Sequence, residues 1–315
     1  MTGKTVLRVI GLVLAVALSA GYVRYRRDLQ QAESAAAEST LGKTQCGDVE
    51  FVSSGTGPPV LVLHGTGGGW DQGLTATEGL VARGFRVIAP SRPGYLRTPL
   101  PKQPSPQAEA DLWACFLTSL DIEHAAVIGI SAGATPAAQL ALRYPKRVDA
   151  LVLMVPASGG LADPDNAHGP SQWVMNVMLR WDFPYWMTMR LAPGTMIDLV
   201  AVPRSLAADL APADRAVLDR TIAQMLPISR RRHGIAYDAA TQSTSPVFPL
   251  ERITAPTLLI TAKDDGYRTQ RPARRAASVI PHATLIEYET GGHLLLGHAE
   301  EVASAIAAFL LRAED

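Results

Sequence analysis

From Gln45 onward, short apolar runs alternate with amphipathic stretches, the rhythm expected of a mostly parallel sheet with helices on both faces. Val60 to Leu63 (VLVL), Arg86 to Ala89 (RVIA) and Ala125 to Ile130 (AAVIGI) each read as a buried strand ending in turn residues. Ala150 to Val155 (ALVLMV), Thr257 to Thr261 (TLLIT) and Ala283 to Tyr288 (ATLIEY) repeat the pattern. The fold class is therefore α/β. Between about Ala157 and Ser245 the strand rhythm is lost, and Trp173, Met175, Met178, Trp181, Phe183 and Trp186 accumulate. This segment is expected to be a helical cap insertion. Two readings of its large side chains stay open: ordinary helix packing, or an apolar substrate pocket lined by residues such as Trp173, Met178 and Trp181.

The apolar run Val9 to Val23 is uncharged, with Lys4 and Arg8 before it and Arg24, Arg26 and Arg27 after it. If the helix extends from Thr5 to Tyr25, its ~20 residues would cross a bilayer at ~1.5 Å per residue. Residues 1–28 are thus expected to be a membrane anchor, with a cleaved export signal as the alternative; basic residues at both ends leave the orientation undecided. Residues 29–41 read as a helical or flexible tether, and 42–315 as one α/β domain with its insertion at about 157–245.

The 315 residues are 47% hydrophobic and 18% charged with zero formal net charge, enough for one large core. The first 28 residues carry +4, which leaves −4 for the remainder and no basic footprint for nucleic acid. Cys46 and Cys115 have no neighbours spaced as metal ligands and read as buried small residues, a single disulfide being the alternative. Neither metal nor organic cofactor is called for.

The chemistry centres on Gly129-Ile-Ser131-Ala-Gly133, set between a strand and the small-residue helix Ala134 to Tyr144. A serine on so sharp a turn needs glycine on either side, and the turn presents Oγ at the positive end of a helix. Together with His64-Gly-Thr-Gly-Gly-Gly69 after the first of these strands and Ser91-Arg-Pro-Gly-Tyr95 after the second, this order of motifs resembles the cap-containing serine-hydrolase branch of the α/β-hydrolase superfamily. The resemblance runs from about Cys46 to the C-terminus. It implies Ser131 as nucleophile and an oxyanion hole from the backbone N–H of Ala132 and of Thr66 or Gly67. The family's G-x-x-D pattern selects Asp265 as the acid, with Asp264 as the alternative because Ala262 stands where glycine is usual. His293, in the terminal Gly291-Gly-His293 loop, is the implied base, whereas His298 reads as a helix-start residue. His64 is expected to be structural, since it breaks the serine, acid, histidine order. Arg92 either braces its loop or anchors a substrate carboxylate, and the bracing role is expected.

The resulting expectation is a serine esterase or lipase-like enzyme for an apolar ester. Serine at position 131 argues against the epoxide hydrolases and haloalkane dehalogenases of the superfamily, which use aspartate. Carbon–carbon bond hydrolases, cofactor-free haloperoxidases and acyltransferases share the serine and remain as alternatives. From another class, a non-catalytic membrane-anchored binding protein stays open.

Overall fold

A computed structural model of the chain describes residues 3–161 and 179–314. Eight strands form one sheet: β1 (Thr40–Thr44), β2 (Gly47–Ser54), β3 (Pro59–Leu63), β4 (Arg86–Pro90), β5 (Ala125–Ile130), β6 (Val148–Met154), β7 (Thr257–Ala262) and β8 (Ala283–Tyr288). Their order is β1-β2-β4-β3-β5-β6-β7-β8. β3 to β8 are parallel, and β1 and β2 add an antiparallel hairpin at one edge.

The six parallel strands coincide within two residues with the apolar runs: β3 to β7 are buried on both faces and so carry side chains of one kind, whereas β8, at the sheet edge, is only partly buried. Their period of two divides the core. Leu61, Leu63, Val127, Leu151 and Leu153 pack against helices α4 (Pro106–Ser119), α5 (Ala134–Arg143) and α11 (Gln270–Val279). Val60, Val62, Ile128, Val152 and Ile260 face α2 (Trp70–Ala76), α3 (Glu78–Val81) and the last helix, α12 (Ala299–Glu314). The hairpin escapes an apolar-run reading because β1, TLGKT, is a largely exposed edge strand.

The strand registers fix where chemistry can gather. Leu63 pairs with Gly129, Ile130 with Met154, Met154 with Ile260 and Ala262 with Tyr288. The loops that follow these strands therefore leave the sheet along one edge, the carboxyl edge at which parallel sheets hold their ligands. The long connection from β6 to β7 supplies the helices α6 (Asp182–Leu191), α7 (Pro193–Leu199), α8 (Arg204–Ala208), α9 (Pro212–Gln224) and α10 (Arg232–Thr244). They share an apolar cluster with Tyr95 and Leu296 of the sheet domain, which seats this insertion over the same edge.

One expectation, on the cysteines, is corrected here, and two other segments take definite form. Residues 29–41 hold the end of α1, which runs unbroken from Gly3 to Ala36, and the start of β1 at Thr40. The second half of α1 is docked, with Leu29 and Ala36 buried and Asp28 Oδ2 accepting from Trp186 Nε1 at 2.8 Å. The cysteines are not two separate buried residues. Cys46, exposed in the β1–β2 turn, forms a disulfide with the half-buried Cys115 of α4 across a Cα–Cα distance of 6.1 Å. Finally, Trp181 is largely in solvent among the described residues. It stands just before α6 with 64% of its surface exposed, since α6 turns Tyr185 and Trp186 inward instead. Trp173 and Met178 lie outside the described residues.

Candidate active site

Ser131 follows β5 directly and adopts φ +51°, a left-handed backbone that costs energy for any residue with a Cβ. The flanking glycines permit the turn. A Cβ on Gly129 would lie 2.7 Å from Ala134 Cα, and one on Gly133 would lie 2.1 Å from the Leu63 carbonyl oxygen. Both are impossible contacts, so β5, the turn and α5 pack only with glycine at these two positions.

Ser131 Oγ lies 3.0 Å from His293 Nε2, and His293 Nδ1 lies 2.8 Å from Asp265 Oδ2. A carboxylate can only accept, so the imidazole carries its proton on Nδ1 and leaves Nε2 to accept from the serine hydroxyl. Asp265 is almost wholly buried and is held by more than the histidine. Its Oδ1 accepts from the Tyr267 amide at 2.8 Å, and Thr269 Oγ1 donates to Oδ2. Burial alone would raise this carboxyl, but the charge of His293 and the hydrogen bonds from His293, Thr269 and the Tyr267 amide outweigh it and hold it below 3.8. The Tyr267 ring stands edge-on to the imidazole at 4.8 Å, which limits rotation of the histidine.

The neighbouring carboxylate is used differently. Asp264 Oδ1 accepts from the Gly292 amide at 2.9 Å and Oδ2 from the Gly291 amide at 3.3 Å, so it grips the backbone of the loop that carries His293. His298 is turned away from Ser131: its Nδ1 is 3.1 Å from Glu301, its Nε2 is 3.1 Å from the Thr290 carbonyl, and its ring stacks on Tyr288.

A family model described as the alpha/beta hydrolase fold matches residues 58–298, which contain all of these loops. The chain belongs to the α/β-hydrolase fold family. Among curated proteins it is 29% identical over 277 residues to the 2-hydroxymuconate semialdehyde hydrolase of Pseudomonas sp. (strain CF600), covering 83% of this chain and 89% of that one. It is 30% identical over 274 residues to the 2-hydroxy-6-oxononadienedioate/2-hydroxy-6-oxononatrienedioate hydrolase of Cupriavidus pinatubonensis, covering 84% and 91%. Among solved structures, an alpha/beta hydrolase fold protein from Nakamurella multipartita superposes with a TM-score of 0.71 at 30% identity, over 88% of this chain and all of that one. This α/β-hydrolase is therefore an enzyme of the hydrolase class.

The glycine loop of the α/β-hydrolase lies against Ser131, where a Cβ on Gly65 would come within 3.1 Å of the Ser131 Cβ. His64, at the base of the loop, is fully buried. It accepts from the Arg92 amide through Nε2 at 2.9 Å and donates to the Gly65 carbonyl through Nδ1 at 2.7 Å. Burial, reinforced by the charge of Arg92, depresses its pKa well below 6.5 despite the bond to Gly65, so it is a neutral strut between two loops. The Gly67 amide points to Tyr95 Oη at 3.4 Å, and Met225 of the insertion occupies the space a Cβ on Gly67 would need.

Behind the loop lies a buried ionic cluster. Arg92 pairs with Glu109 at 2.8 Å and with Asp238 of α10 at 2.7 Å, and Asp238 also accepts from Tyr95 Oη at 2.5 Å and Thr66 Oγ1 at 2.9 Å. Arg92 thus braces the loop. Asp238 escaped the sequence reading because nothing local marks it: it meets Arg92 across 146 positions. Arg231, also buried, is paired with Asp71 at 2.8 Å and donates to the Gly68 carbonyl at 2.6 Å. Among the described residues, no three His, Cys, Asp or Glu side chains converge as ligands for a metal.

Proposed function

We propose that the protein is a serine hydrolase that cleaves the carboxylic ester of an uncharged, apolar small molecule through an acyl-enzyme on Ser131. The reading rests on one observation, the hydrogen-bonded line Ser131 Oγ, His293, Asp265. In this mechanism His293 Nε2 takes the hydroxyl proton as Oγ attacks the ester carbonyl, and Asp265 fixes the imidazole tautomer and balances the imidazolium charge. The alkoxide is met by the Ala132 amide and, from the glycine loop, by the Thr66 amide, since the Gly67 amide is turned toward Tyr95. His293 then gives its proton to the departing alcohol. Water, activated by the same histidine, releases the acid.

The uncharged substrate is argued from charge balance. Arg92 and Arg231, the two arginines buried against the glycine loop, are each neutralised by carboxylates, so neither is left to pair with a carboxylate on a substrate. Carbon–carbon bond hydrolysis is the second reading, favoured by the two curated relatives, which are named as hydrolases of a 2-hydroxymuconate semialdehyde and of a 2-hydroxy-6-oxononadienedioate or -trienedioate, neither of them an ester. Hydrolysis of p-nitrophenyl acyl esters from short to long chain, run beside a ring-cleavage dienoate, separates the two. Ester turnover that disappears in Ser131→Ala supports the proposal. Turnover of the dienoate alone would replace it with the second reading.

We further propose that α1 anchors the enzyme in a membrane. Its apolar stretch has a mean hydropathy of 2.2 with none of that window buried against the fold. The other helix of similar hydropathy, Gly292–Ala313, overlaps α12, which supplies Val302, Ile306 and Leu310 to the core. A disulfide survives in an oxidising compartment, so the Cys46–Cys115 bridge favours the catalytic domain facing that side. Protease protection of α1 in intact membranes, with the sheet domain digested only from the oxidising side, is the expected outcome; release of the full-length chain by high salt would sink the anchor.

A further inference from the structure

Among the described residues, the cap insertion carries an apolar stripe that the rest of its fold leaves exposed. On α6, Phe183, Met187 and Leu191 recur every fourth residue and so share one face of the helix, and they are 41%, 38% and 74% exposed. Trp181, immediately before the helix, adds a fourth large exposed side chain. Three such residues on one helix face, next to an exposed tryptophan, are not the scattered apolar side chains of an ordinary soluble surface.

The position of this stripe is set by α1. Tyr25 packs edge-on against Phe183 and Trp186, with ring centroids 5.1 Å and 5.5 Å away. Three residues later, Asp28 Oδ2 accepts from Trp186 Nε1 at 2.8 Å and from Arg190 Nη2 at 2.6 Å. Val23 is the last residue of the apolar run, so these contacts fall within about 8 Å of its end at ~1.5 Å per residue. The stripe therefore continues the apolar surface of α1 at the depth where a bilayer gives way to water. The charges agree with that placement: Arg24, Arg26 and Arg27 are exposed at this junction, although residues 29–315 carry a net −4.

We propose that the α6 face of the cap lies in the headgroup layer of a bilayer containing anionic phospholipid, held there by α1. Phe183, Met187, Leu191 and Trp181 enter the interface, and the arginines of α1 meet the lipid phosphates. The inference rests on the reading of α1 as a membrane anchor. It goes beyond that reading in assigning the cap, and not only the anchor, to the lipid surface.

The test uses the full chain reconstituted in vesicles of phosphatidylcholine and phosphatidylglycerol that carry a nitroxide quencher near the headgroups. Both native cysteines are bonded to each other, so introduced thiols take a fluorophore without competition. Labels are placed by Leu191→Cys on the stripe, Ser278→Cys on an exposed part of the sheet domain and Val13→Cys within α1. The proposal expects the Leu191 and Val13 labels to be quenched several-fold more than the Ser278 label. Quenching at Val13 with Leu191 no different from Ser278 would overturn the cap contact and leave the anchor standing. No excess quenching at Val13 would remove the anchor, and the cap proposal with it.

Discussion

At the scale of single residues, two adjacent carboxylates hold one histidine in different ways. Asp265 binds the imidazole of His293, and Asp264 binds the two amides that precede it. Asp265→Asn is expected to cut kcat by roughly 10⁴-fold, because the amide favours the wrong tautomer. Asp264→Ala is expected to act through the loop, lowering stability by about 1–3 kcal/mol through two unmet amides and slowing turnover far less. Steady-state kinetics and urea melts of both variants check this; a larger kcat loss in the Asp264 variant would reverse the assignment. The resemblance to the family's G-x-x-D pattern favoured Asp265 and left Asp264 as the alternative, and the work of Asp264 is a backbone contact that no spacing encodes. His64 makes a pH prediction. Its folded pKa is depressed below 6.5, so the unfolded chain takes up a proton first as pH falls, and stability declines from about pH 6.5 downward until the folded pKa is reached. His64→Gln, which keeps an acceptor for the Arg92 amide, is expected to flatten that part of the curve of unfolding midpoint against pH. An unchanged slope would mean that His64 is not the buried neutral group described.

At the scale of elements, the inner parallel strands β3 to β7 were legible because full burial on both faces makes a strand apolar along its whole length. The edge hairpin was not, since β1 is short, polar and half in water, and the docking of α1 through Asp28 was not, because its partners, Trp186 and Arg190, lie more than 150 positions away. The same distance in sequence hid the clasp between the cap and the glycine loop. Asp238 takes bonds from Arg92, Tyr95 and Thr66 in a fully buried setting. Asp238→Ala is expected to cost about 1–3 kcal/mol, since Arg92 keeps Glu109 but the Tyr95 hydroxyl and one edge of the guanidinium lose their buried acceptor. Asp238→Asn, which keeps an acceptor, is expected to cost less. Equal melting temperatures for wild type and Asp238→Ala would contradict the clasp. The Cys46–Cys115 bridge ties the β1–β2 turn to α4 across 69 positions, and its loss in Cys46→Ser is expected to cost on the order of 4 kcal/mol through the freer unfolded chain. Addition of reductant to the wild type should reproduce the shift.

At the scale of the whole molecule, each part of the proposed reaction is delivered by a different loop of one sheet edge: the glycine loop after β3, the serine after β5, the acid after β7 and the histidine after β8. That arrangement was readable from the order of the motifs along the chain. The pocket was not, because the shape under the cap depends on contacts such as Met225 against Gly67, which form only after the insertion folds over the edge. The most direct test of the account is exposure of the full chain to a fluorophosphonate, followed by peptide mass mapping. The account predicts a single phosphonyl adduct, carried by Ser131 and formed roughly 10³-fold more slowly in His293→Ala. An intact protein that takes no adduct at Ser131, or that takes it equally fast without His293, would contradict it.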